Sequence, residues 1–130
     1  MHKGFLISAA MMGAIAVILG AFGAHGLKAV ASAQQLVSYD TAVKYQFYHV
    51  FALALTAVLY QSFPSKWLLI AGRLFIAGIF VFSGSLYLLT LLAINGYHQF
   101  NWLGAITPIG GVLFVLAWIM MGFTLIRYKP

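Results

Sequence analysis

The side chains able to do chemistry in this chain are imidazoles, phenols, amides and hydroxyls, with Asp40 as the single acidic residue. Their positions are ordered. Tyr45, Gln46, His49, Ala52 and Thr56 recur at i,i+3 and i,i+4 spacing and share one face of a helix, while Phe51, Leu55 and Val58 take the other. Ser83, Tyr87 and Thr90 make a comparable stripe further along. His25 closes an apolar run between Gly23 and Gly26, and Thr107-Pro108 opens another, where the proline frees a backbone carbonyl. Neutral imidazoles and phenols can hydrogen-bond one another, a lipid headgroup or a quinone ring. The pattern points to one polar layer built from His25, Tyr45, Gln46, His49, Tyr87 and Thr107.

Other chemistries lack parts. With a single carboxylate, acid–base catalysis by a carboxylate pair is excluded. Ser83 and Ser85 could act as nucleophiles only with His49 in hydrogen-bond reach, and the depth of Ser83 in the membrane argues against it. The chain has no cysteine, hence no disulfide, thiolate site, thiol nucleophile or lipoprotein anchor. His25 and His49 could approach across adjacent antiparallel helices, but two histidines without carboxylate or thiolate support make a weak metal or haem signature, and no metal site is assigned. Met11, Met12, Met120 and Met121 lie toward the opposite end and read as packing residues. A transporter or channel lacks the usual charged interior, although histidine alone can relay protons. No catalytic residue and no cofactor is assigned, and an enzyme is not the favoured reading.

Such residues must be positioned by helices in lipid. Charged residues make up 6% and hydrophobic ones 64% of the 130, whereas water-exposed domains carry about a quarter charged. Crossing hydrocarbon about 30 Å thick takes about 20 apolar residues. Four such runs are present, Phe5–Ala24, Tyr45–Phe63, Leu74–Ala93 and Gly104–Phe123. Joined by short links, they are expected to form an all-α membrane fold, a four-helix antiparallel bundle in one domain over residues 1–130, without repeats. Lys3 before the first run suggests a signal peptide, but the run exceeds the about 7 to 15 residues of a signal core and is expected to be retained.

The formal charge of +6 is scattered over helix ends, so nucleic acid is not an expected partner. Lys3, Lys66, Arg73, Arg127 and Lys129 fall on one side and Lys28 and Lys44 on the other, which predicts both termini in the cytoplasm. Arg73 is expected to snorkel to that interface. The polar segment Leu27 to Lys44 is expected to form a short outer-surface helix, with Asp40 and Lys44 paired at i,i+4, that can run into the second span. Pro64 breaks the second helix, Asn95-Gly96 makes a turn, and Trp67, Tyr97, His98 and Trp102 suit the headgroup level.

In lipid, helices pack through small residues that let backbones approach. Ala9, Gly13, Ala16, Gly20 and Gly23 form a seam at spacings of four, three, four and three. Gly78 with Ser85, and Gly104 with Pro108 and Gly111, continue the theme. The helix-packing set comprises Gly13, Gly20, Gly23, Gly84, Gly110 and Gly111. Counting from the ends of the runs puts His49 and Tyr87 about 6 to 9 Å and Thr107 about 5 Å below the outer boundary.

The same residues carry a resemblance. Gly20-Ala-Phe-Gly-Ala-His25-Gly-Leu27, Tyr45-Gln46-Phe-Tyr-His49, Phe82-Ser-Gly-Ser-Leu-Tyr87 and Thr107-Pro108-Ile-Gly110-Gly111 resemble the signatures of the domain-of-unknown-function 423 family over essentially the whole chain. That family consists of small multi-pass bacterial inner-membrane proteins of the YgdD and YwdK kind. The resemblance implies a location in the bacterial plasma membrane and no activity. Two readings follow. The polar layer is an outer-leaflet pocket for a lipid-like or quinone-like molecule, or the histidines are interhelical hydrogen-bond partners in a non-catalytic accessory or scaffold subunit. Membrane lipids, a small amphiphilic ligand, further copies of the chain or another membrane protein are the partners to consider.

Overall fold

The computed structural model describes residues 1–128, so Lys129, counted above among the basic residues of one side, lies outside the described residues. The chain forms α1 (Lys3–His25), α2 (Ala33–Ser62), α3 (Lys66–Gly78), α4 (Gly84–Ile94) and α5 (Thr107–Arg127). A π-helical turn, Ile79–Ser83, joins α3 to α4, so the two make one continuous crossing from Lys66 to Ile94. Short 3-10 turns at Leu27–Ala29 and His98–Ala105 lead into α2 and α5. Among the described residues, four helical stretches are long and apolar enough to cross a membrane, Lys3–Ala29, Ala33–Ser62, Lys66–Ile94 and His98–Arg127. The fold is an all-α bundle of four membrane spans.

Local chemistry sets the boundaries. Ser32 and Gln35 form a reciprocal capping box: Ser32 Oγ accepts from the Gln35 amide at 3.3 Å and Gln35 Oε1 accepts from the Ser32 amide at 2.8 Å. From there to Ser62 no glycine or proline interrupts the helix. Ala33 to Lys44, the body of the expected outer-surface helix, therefore runs straight into the second span. Asp40 and Lys44, 2.6 Å apart, ride on the same continuous 30-residue helix as His49. At the other end Pro64 enforces the break, and Ser65 caps α3 by accepting from the Trp67 amide at 3.1 Å. The Asn95-Gly96 turn closes α4 with Gly96 at φ +81°, a backbone conformation that glycine adopts without a Cβ penalty.

α2 lies at the centre and packs on α1, α3, α4 and the π turn, whereas α5 packs chiefly along α3 and the π turn. Small residues on α1 set its register against α2. A Cβ added at Gly13 would sit 3.5 Å from Val50, one at Gly20 would sit 3.3 Å from Val43, and one at Gly23 would strike the Tyr39 ring at 2.5 Å. The partners fall along α2 as they rise along α1, as antiparallel helices require. Gly110 faces the backbone of Phe82 so closely that no side chain fits between them, and Gly78 takes the Phe114 ring. Gly72 accommodates the Phe5 ring, a contact absent from the small-residue pattern. Gly111 sits 3.9 Å from Phe82 by the same measure, and at Gly84 a Cβ would meet nothing within 4 Å. The fully buried centre is Leu53, Ala57, Leu68, Ala71, Phe75 and Ala117.

Candidate functional site

α2 presents polar groups in two directions. Toward α1 and α4, buried Gln46 uses both ends of its amide: Nε2 donates to the Met12 carbonyl at 2.8 Å, and Oε1 accepts from the Tyr87 hydroxyl at 2.7 Å. The Tyr39 hydroxyl donates to the Leu19 carbonyl at 2.8 Å, with its ring edge-on to Tyr87 at 5.1 Å between centroids. Ser83 Oγ donates to the Ala42 carbonyl at 2.8 Å. Ser85 gives its proton to the Phe82 carbonyl at 2.9 Å, which leaves Thr107 as the donor across the 2.7 Å contact between the two hydroxyls. These groups tie helices to one another. Thr90 is the exception, its buried hydroxyl having no partner among the described residues.

In the other direction, His49 faces α5. Its Nδ1 lies 2.7 Å from the Tyr45 carbonyl, one helical turn back. A carbonyl only accepts, so Nδ1 carries the hydrogen and the neutral ring keeps its lone pair on Nε2. The imidazole stacks on Phe114 with centroids 3.4 Å apart and planes 3° from parallel, and Trp118 meets it edge-on at 6.4 Å. Tyr45 stacks on Phe82 at 4.5 Å, and Phe82 belongs to the π turn. π turns inside helices often mark functional positions. This one sets Phe82 where Gly110 lets α5 approach its backbone. Between α2 and α5 a groove of about 550 Å³ remains, bounded by Tyr45, His49, Phe82, Pro108, Phe114 and Trp118.

The layer grouped by spacing thus divides by direction. Tyr45 and His49 line the aromatic groove; Gln46 and Tyr87 bond one another on the far side of α2; Thr107 bonds Ser85. His25 is exposed at the end of α1. The register pairing Gly23 with Tyr39 places His25 roughly 18 Å along the axis from His49, so the two do not approach. Among the described residues no group of three His, Cys, Asp or Glu side chains gathers to hold a metal ion.

Depth also changes. Val50, next to His49, packs against Gly13, about 15 Å from the nearer end of α1. His49 therefore lies near mid-span, deeper than a count from Tyr45 gives, because α2 begins at Ala33 and packing against α1 sets the level. Phe82, Phe114 and Trp118 are the groove residues that spacing did not single out. Aromatic residues in an apolar run look alike whether they face lipid or a groove.

A family described as "Protein of unknown function (DUF423)" matches residues 19–111. The UPF0382 membrane protein SAB0533 of Staphylococcus aureus (strain bovine RF122 / ET3-1) is 46% identical over 121 residues, covering 92% of each chain. The UPF0382 membrane protein YwdK of Bacillus subtilis (strain 168) is 41% identical over 127 residues, covering 97% of this chain and 98% of its own. A UPF0382 membrane protein of Haemophilus influenzae is 38% identical over 136 residues, covering 99% and 98%. No solved structure matches. A match over residues 19–111, with near-full-length relatives named as membrane proteins, means that the chain belongs to the DUF423 family.

Proposed function

We propose that the groove between α2 and α5 receives a small amphiphilic molecule, lipid-like or quinone-like, with His49 as its polar anchor. The observation that carries this reading is an imidazole held by Tyr45 and Phe114, with no hydrogen bond to Nε2 among the described residues, lining a groove of about 550 Å³ whose walls are mostly aromatic and aliphatic. Ligand sites combine about 300 to 1,000 Å³ of mostly apolar wall with a few placed polar groups. Polar side chains inside membrane spans find a partner or serve a site. Gln46, Tyr87 and Thr107 act in this reading as interhelical ties that hold α2 and α4 in place. The chain sits in the bacterial plasma membrane with both termini cytoplasmic.

Native mass spectrometry of the detergent-extracted protein, with lipid analysis of what co-purifies, tests the reading. His49→Phe keeps a flat ring against Phe114 and removes both nitrogens. The variant is expected to lose one specific adduct that Tyr87→Phe retains; identical adducts in wild type and His49→Phe would overturn the proposal. A non-catalytic accessory or scaffold subunit is the second reading, favoured by the mutually bonded Gln46 and Tyr87 and by the largely exposed surface of α1. It predicts that His49→Phe leaves the adducts unchanged, while crosslinks from α1 capture another copy of the chain or a second membrane protein.

A further inference from the structure

Resting on the groove as a ligand site, we infer that it prefers a ligand presenting a hydrogen-bond donor on an aromatic ring, a phenol or hydroquinone, over the corresponding quinone. The Nδ1 hydrogen of His49 is committed to the Tyr45 carbonyl at 2.7 Å. That bond fixes the tautomer and turns Nε2 into an acceptor. A quinone carbonyl has lone pairs and no proton, so it meets Nε2 lone pair to lone pair. A ring hydroxyl donates to it directly. Imidazolium would reverse this preference, yet nothing near the ring supports a second proton: the single acidic side chain, Asp40, pairs with Lys44 and lies about 13 Å along α2. Charge at this depth is costly without a partner.

The walls select for a flat ring. Tyr45 lies on Phe82 at 4.5 Å, His49 on Phe114 at 3.4 Å, and Trp118 stands nearly edge-on to both His49 and Phe75. A planar ring extends such stacking, whereas a flexible headgroup does not. Tyr45 and Trp118 carry the other polar atoms among the lining residues, a hydroxyl that can either donate or accept and so does not discriminate between the two oxidation states, and an indole N–H that only donates. The preference for the reduced ring rests on His49 as the anchor.

The test uses the full chain in nanodiscs of synthetic phosphatidylcholine, with 2,3-dimethyl-1,4-naphthoquinone and its chemically reduced hydroquinone as probes under anaerobic conditions. Binding is read by equilibrium dialysis against empty nanodiscs, which subtracts partition into lipid. The hydroquinone is expected to bind at least about tenfold more tightly than the quinone, the worth of one hydrogen bond to a buried acceptor. His49→Phe should erase the difference, and Tyr87→Phe, on the far side of α2 from the groove, should keep it. Nitrogen NMR of histidine-labelled wild type supplies a check that needs no variant. The hydrogen should reside on Nδ1, and the Nε2 signal should move when hydroquinone is added. Equal binding of the two probes, tighter quinone binding, or a hydrogen on Nε2 would overturn the preference while leaving the groove a binding site. No binding of either probe above empty nanodiscs would overturn the groove reading, and this inference with it.

Discussion

At the scale of single residues, the interior of this protein separates polar groups whose bonds are complete from those left with a free position among the described residues. Gln46 has its carbonyl and its amide engaged by Tyr87 and Met12, from two other helices. Tyr87→Phe leaves Gln46 Oε1 without a donor and is expected to cost about 0.6 to 1.7 kcal/mol, the range for such bonds in membrane bundles. Thr90 is the converse case. Thr41, Thr56 and Thr124 each donate to the carbonyl four residues back, whereas the Thr90 hydroxyl is buried and unpartnered among the described residues. Thr90→Val should raise stability by about 1 kcal/mol, because it removes the penalty of burying a polar atom alone. Denaturation of both variants in mixed micelles checks the pair; a loss at Thr90→Val would show that its hydroxyl has a partner. Periodicity made part of this legible. It marks Gln46, His49 and Tyr87 as inward-facing, and they are inward. It does not say toward which neighbour, since Gln46 and His49 are three residues apart yet turn to α1 and α5. That choice is made by packing across helices, which no single helix encodes.

At the scale of elements, glycines divide into those that admit a neighbour and those that do not. Gly110 lies against the backbone of Phe82, which cannot rotate away as a side chain would. Gly110→Ala must push α5 off the π turn and is expected to destabilise by about 1 to 3 kcal/mol, the usual cost of overpacking. Gly84→Ala meets open space and should stabilise by up to about 1 kcal/mol through helix propensity. Comparable melting losses for both would mean that α5 does not approach Phe82 as described. The seam of Ala9, Gly13, Ala16, Gly20 and Gly23 was readable because its spacing alternates four and three, the period of a helix-facing stripe. The π turn was not readable. One extra residue in a helical turn leaves no mark on an apolar sequence, and its presence follows from α2 and α5 meeting the same short stretch, at Ser83 and Phe82. The continuous α2 follows from a boundary signal, the Ser32–Gln35 box, that outweighs the polar composition of the turns after it.

At the scale of the whole molecule, the proposed orientation of the bundle rests on where its basic residues lie. Lys3, Lys66 and Arg127 cluster where α1 begins, α3 begins and α5 ends, and the segments before α2 and after α4 form the opposite rim. Arg73 lies on the exposed face of α3, two turns from Lys66, within reach of the same interface by extending its side chain. The bias in lysine and arginine sets orientation because such residues resist translocation. The absence of cysteine from this sequence makes the orientation directly measurable, since an introduced thiol is the only maleimide target within the chain. In intact spheroplasts, a membrane-impermeant maleimide is expected to label Ser38→Cys, near the start of α2, and Asn101→Cys, in the turn before α5. Ser65→Cys, in the α2–α3 link, should react after the membrane is opened. The reverse pattern would invert the bundle and place the Tyr45 side of the groove toward the cytoplasm. The groove itself would survive inversion, for it is built from contacts between α2, α5 and the π turn that take no account of which face is out. What inversion would change, under the proposed function, is the leaflet from which a ligand would enter, and with it the pool of amphiphiles open to the groove.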